Sequence, residues 1–282
     1  MSPRQRRLRW LSPAGFHLLA WMEWGPEGGA PVVCVHGLTR TGRDFDALAA
    51  ALATRGRRVL CPDMPGRGES DPLPDPSLYR NDVHAAACAH LLATLGERPV
   101  DWVGTSMGGI IGMILAAMPG TPIRRFVIND VGPFIPAAAL ARIGEYLGRA
   151  WVFPDFAAAE AHARKAYAPF GALTDAEWRH LTETSVRPLP EGGFRPHYDP
   201  AIAAAFRDPP QDVELWPLWD RIAVQTLVLR GEHSDLLLPE TAARMAEKPH
   251  VRVETIAGCG HAPALLDPLQ IDLVVRFLEA PE

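Results

Sequence analysis

The run Pro31-Val32-Val33-Cys34-Val35 is apolar at every position. A strand with one wet face alternates apolar and polar residues, so a run without alternation has no side for water. It belongs in a sheet covered on both faces, and parallel strands with helical crossovers supply that cover. The rest of the chain keeps the same pattern. Strand-like runs at 57–61, 100–103, 123–128, 224–230 and 251–256 alternate with helical stretches near 44–54, 79–95, 107–117 and 269–278. Gly96 stands where the second of these helices must stop. Before the alternation, runs at 7–11 and 16–24 flank Ser12-Pro13-Ala14-Gly15, a turn signal, and read as an antiparallel hairpin. Arg4, Arg6, Arg7 and Arg9 then read as the solvent face of an edge strand. These eight strands predict an α/β fold: a mostly parallel eight-stranded sheet with helices on both faces.

The alternation stops after the sixth strand. Residues 132–212 are rich in Ala, Pro and aromatics, with short helical pieces. We read them as a helical cap over one sheet edge, inserted into a core made of 1–131 and 213–282. Twenty-eight basic against 33 acidic residues give a net charge of −5, which argues against nucleic-acid binding. Four cysteines with no CxxC pair argue against a disulfide scaffold or a thiolate metal site. Cys34 and Cys61 read as small buried hydrophobes. The arginine-rich start lacks a following apolar stretch, so it does not read as a secretory signal, and no apolar run is long enough to span a bilayer. Both point to the cytoplasm.

The sharpest local feature is Gly104-Thr105-Ser106-Met107-Gly108-Gly109, between a predicted strand and a predicted helix. A nucleophile presented on so tight a turn needs neighbours without side chains at −2 and +2. The turn points the Ser106 hydroxyl off the sheet edge, and the Met107 N–H at the helix start faces any oxygen that becomes negative. A serine needs a base, and the base an orienting acid. His261, in Gly258-Cys259-Gly260-His261, follows a strand and falls at the carboxyl edge of the sheet. Asp235 occupies the matching place after the preceding strand. Asp235 is therefore the expected orienter, and the resulting order Ser106, Asp235, His261 is the Ser…Asp…His order of one particular scaffold. In His36-Gly37-Leu38 the Leu38 N–H is the second oxyanion donor, and His36 pins the loop rather than reacting. His84 and His90 fall on a helix and read as partly exposed. His162, His180 and His197 read as structural parts of the cap, and His233 as a weaker base than His261.

Together these residues resemble the α/β-hydrolase superfamily. Asp63-Met64-Pro65-Gly66-Arg67-Gly68-Glu69-Ser70 is similar to the D-x-P-G-x-G-x-S signature of its capped branch. The resemblance implies Ser106 as nucleophile, His261 as base and Asp235 as orienter, with Leu38 and Met107 as oxyanion donors and no metal or organic cofactor. Asp130 is a rival acid, since some members carry it after the sixth strand. A serine nucleophile limits the likeness to haloalkane dehalogenases and epoxide hydrolases to scaffold. The expected activity is hydrolysis of a small to medium, largely apolar ester through an acyl-enzyme. Carbon–carbon hydrolysis, lactone or oligoester hydrolysis, acyl transfer and a receptor-like binding role stand as alternatives. The expected partner is a small-molecule ester-type substrate, with neither nucleic acid nor a membrane span.

Overall fold

The computed structural model describes residues 2–149, 151–206 and 208–281. Eight strands make one sheet: β1 (Arg4–Ser12), β2 (Gly15–Trp24), β3 (Pro31–Val35), β4 (Arg58–Pro62), β5 (Val100–Thr105), β6 (Ile123–Asn129), β7 (Gln225–Gly231) and β8 (Val251–Ile256). Their order across the sheet is β1-β2-β4-β3-β5-β6-β7-β8. β2 runs antiparallel to β1 and β4, and the pairs from β4 to β8 are parallel. Helices α1 (Asp46–Thr54), α2 (Asn81–Ala93) and α3 (Met107–Ala116) connect the earlier strands. After the sheet's sixth strand come α4 (Ala137–Gly144), α5 (Phe156–Ala166), α6 (Asp175–Ser185) and α7 (Trp216–Trp219), and α8 (Pro239–Met245) and α9 (Pro268–Glu279) close the chain.

The unalternating runs are explained by the two cores. Val32 and Cys34 of β3 pack with Leu48 and Leu52 of α1 and Val274 and Leu278 of α9. Val33 and Val35, one residue along, pack on the other face with Leu91 of α2 and Ile111 of α3. Every position of β3 is buried, because a pleated strand sends successive side chains to opposite faces and both are covered. Cys34 and Cys61 are free and buried, as expected of small apolar fillers. Glu23 receives Arg4 and Arg58, so part of the arginine-rich edge strand is paired rather than simply solvated.

The stretch between β6 and β7 leaves and rejoins the sheet at one place: Phe134–Ile135 pairs antiparallel with Val213–Glu214. Between these ends lie α4, α5 and α6 and a small hairpin of Val186–Pro188 with Phe194–Pro196. Polar contacts fasten this stretch over the carboxyl edge of the sheet. Arg40 donates to the Ser185 hydroxyl at 2.5 Å and stacks on Tyr167. The Gly68 N–H donates to the His197 carbonyl, and the Tyr79 hydroxyl to Asp199. Among the described residues no helix is long and apolar enough to cross a membrane.

Candidate active site

β5 ends in Thr105 and α3 begins at Met107, leaving Ser106 alone in the turn. Its φ of 51° and ψ of −113° are a conformation that side chains rarely adopt. The glycines two residues away on either side permit it. A Cβ on Gly104 would meet the Gly108 carbonyl oxygen at 2.2 Å, and one on Gly108 would meet the Val35 carbonyl oxygen at 2.0 Å. The turn raises the hydroxyl above the strand end, where the His261 loop arrives from β8.

His261 Nε2 lies 3.0 Å from Ser106 Oγ, and His261 Nδ1 lies 2.8 Å from Asp130 Oδ2. A carboxylate only accepts, so Nδ1 carries the proton and Nε2 is left to accept from the serine. Asp130 is fully buried just past β6. Its Oδ1 accepts from the Gly231 N–H at 2.7 Å and its Oδ2 also accepts from the Ser234 hydroxyl at 2.6 Å. Asn129 beside it donates to Thr105 and to the Pro263 carbonyl, tying the nucleophile strand to the histidine loop.

The expectation for Asp235 is therefore corrected. His261 Nδ1 meets Asp130 instead, and the Asp235 carboxylate takes a two-pronged bond from Arg142 of α4, at 2.5 and 2.9 Å. The reason is one residue of register in the turn after β7. Ser234 takes the inward place, receiving the Leu236 and Leu237 N–H groups and donating to Asp130, so its neighbour points out. The signal for Asp130 was present: a carboxylate two residues after the fully apolar Phe126-Val127-Ile128, with no water to solvate it, must find donors inside. The sequence reading also missed Asn129, Ser234 and Arg142.

Leu38 and Met107 both border the space in front of Ser106. Met107 is the first residue of α3, where an N–H has no partner within the helix. The Leu38 N–H meets no acceptor among the described residues. His36 is fully buried and pins the loop as expected: its Nε2 accepts from the Met64 N–H at 2.9 Å while Nδ1 donates to the Gly37 carbonyl. Burial, above all, pushes its pKa down to about 4, so it stays neutral. Arg67 of the D-x-P-G-x-G-x-S segment is also buried. It donates to the carbonyls of Leu38 and Pro65 at 2.9 and 2.7 Å and reaches the Met107 sulfur. Burial lowers its pKa to about 10. His84 is not partly exposed as expected, because it is buried against Arg67, which donates to its Nε2. His90 is exposed.

Two cavities meet at Ser106. The larger, about 1270 Å³, is walled near the serine by Met107, Ile110, Val131 and Leu140. The smaller, about 80 Å³, contains His261, Arg40, Arg142 and Tyr146 in its walls.

Residues 30–268 match the family described as alpha/beta hydrolase fold. The chain is 42% identical over 289 residues to a 3-hydroxybutyrate-oligomer hydrolase of Cupriavidus necator, covering 98% of each chain. A solved protein from Rickettsia typhi superposes with a TM-score of 0.92 at 30% identity over 100% of both chains. An alpha/beta hydrolase from Novosphingobium aromaticivorans gives a TM-score of 0.88 at 37% identity over 98% of both. Sheet order, sequence match and superposition agree, and the chain belongs to the α/β-hydrolase family and is a hydrolase.

Proposed function

We propose that this hydrolase cleaves carboxylic esters through an acyl-enzyme on Ser106, with residues 132–212 as the cap over its pocket. The observation that carries the reading is the unbroken run of hydrogen bonds from Ser106 through His261 to Asp130. His261 takes the serine proton as Oγ attacks the ester carbonyl, and the Leu38 and Met107 N–H groups receive the oxygen that becomes negative. The tetrahedral intermediate collapses and expels the alcohol, which takes the proton from His261 Nε2. Water then repeats the sequence on the acyl-enzyme and restores the serine. Asp130 keeps the imidazole in the required tautomer and faces the positive charge that forms on it. The similarity to a 3-hydroxybutyrate-oligomer hydrolase supports linear oligoesters of short hydroxy acids as the substrate class, and the apolar walls of the larger cavity suit such a chain. p-Nitrophenyl butyrate hydrolysis by the wild type and by Ser106→Ala tests the chemistry. The alanine variant is expected to lose turnover and labelling by a serine-directed phosphonate, and equal activity of the two proteins would refute the mechanism.

A further inference from the structure

The geometry points to Arg142 as the anchor for the free carboxylate of an oligoester, placing the carboxyl-terminal unit on the leaving-group side of Ser106. The inference rests on the ester-hydrolase reading above and deepens it.

Two observations orient the substrate. First, the leaving alcohol must receive its proton from His261 Nε2, so it has to lie on the side where that imidazole is exposed. His261 borders the smaller cavity and not the larger one. The acyl part therefore extends into the roughly 1270 Å³ space and the alcohol part into the narrow one. Second, the two sides differ in charge. The larger cavity has Glu145, Asp208 and Asp212 against Arg80 among its described walls. The smaller has Arg40 and Arg142 against Asp44. The adjoining space of about 360 Å³, which shares Arg142, Tyr146 and Tyr167 with it, adds Lys165.

Of these cations, Arg40 is occupied: Asp44 and the Ser185 hydroxyl hold three of its nitrogens. Arg142 is half-exposed and uses Nε and Nη2 on Asp235, while its Nη1 has no acceptor among the described residues. Asp235 thus fixes the guanidinium by one edge and leaves the other edge for a second carboxylate. An oligoester of hydroxy acids carries its only charge at one end. Anchoring that end at Arg142 sets the last ester bond over Ser106, so the chain is shortened by one hydroxy acid at a time from its carboxyl end.

The test uses the linear 3-hydroxybutyrate trimer, its carboxyl-terminal primary amide, and a trimer labelled with ¹³C in the hydroxyl-terminal unit. In the wild type the early label is expected in the dimer, and kcat/KM is expected to favour the free acid over the amide by about tenfold. Arg142→Gln should bring that ratio close to one, and Arg142→Lys should keep part of it. Because the readout is a ratio within one protein, a loss of folded material does not imitate the effect. Equal rates on acid and amide in the wild type, early label in the monomer, or a ratio unchanged in Arg142→Gln would each overturn the assignment. Failure to hydrolyse either trimer or p-nitrophenyl butyrate would overturn the ester-hydrolase reading itself.

Discussion

Replacing Asp130 with Asn separates the two candidate acids. The Asp130 carboxylate accepts from Gly231, Ser234 and His261. The amide that replaces it has one accepting oxygen and one nitrogen that only donates. With the nitrogen toward the imidazole, Nδ1 must accept, the proton moves to Nε2, and Nε2 can no longer take the proton from Ser106. In serine proteases the same replacement lowers kcat about 10⁴-fold, equivalent to about 5 kcal/mol of barrier. With the oxygen toward His261 and Ser234, the amide nitrogen would confront the Gly231 N–H, a backbone donor that cannot turn as a hydroxyl can, so the damaging orientation is the one the surroundings favour. Asp235→Asn breaks only a half-exposed pair with Arg142, worth at most about 1 kcal/mol, and should leave p-nitrophenyl butyrate turnover within about tenfold. Steady-state kinetics of both variants, with melting curves to establish folding, decide the matter. Folded Asp130→Asn with near wild-type kcat, alongside a collapsed Asp235→Asn, would refute the geometry.

Three further outcomes follow from contacts described above. Gly108→Ala drives a methyl group to within 2.0 Å of the Val35 carbonyl oxygen. It should cost about 3 kcal/mol or more, read as a fall in Tm of about 6 °C or more with loss of turnover. Arg67→Met removes the donor to the Leu38 carbonyl and should lower kcat by about tenfold with little change in KM. An equal change in both parameters would mean the side chain serves substrate binding instead. Acid should destabilise the fold. Burial holds His36 at about 4, below its ordinary 6.5, and pushes His84 down as well, so each contributes stability that is complete above 6.5 and lost as pH falls through its lowered value. Asp63, raised by burial to about 6 from 3.8, works the other way, its contribution being lost as pH rises through 6. Two histidines against one carboxylate leave a net loss between pH 6.5 and 4, so urea midpoints should drop over that range and less so in His84→Gln. A flat profile in the wild type would contradict this.

Much of the fold was legible because it is written in local periodicity. The burial of β3 on both faces, the hairpin at the start and the glycine pair around Ser106 each follow from a few neighbouring residues. His261 was legible for the same reason, as a histidine on a glycine-rich loop just past a strand. The acid was not. Asp130 and Asp235 each follow a strand at the same edge, and both lie between Ser106 and His261, so chain order fits either. What separates them is which residue of the 231–235 turn faces inward, a matter of one side chain's direction that pattern cannot supply. His84 failed differently. Its polarity suggested a wet face, but the Arg67 guanidinium beneath it is a partner from a loop 17 residues earlier, and such a pairing leaves no periodic trace.

The loop that carries His261 is not held by the sheet alone. The Gly260 N–H donates to the Pro169 carbonyl at 2.7 Å, and the Cys259 thiol lies 3.5 Å from the Phe170 carbonyl. On the proposed reading of residues 132–212 as a roof over the pocket, these contacts also make the roof a brace for His261. If the roof hinged up at Pro169 to admit a molecule, it would pull the imbedded imidazole out of line and disarm the enzyme for as long as it stood open. Traffic is better served where α4 meets the core, since parting Arg142 from Asp235 unlatches that side while the brace at Pro169 stays in place.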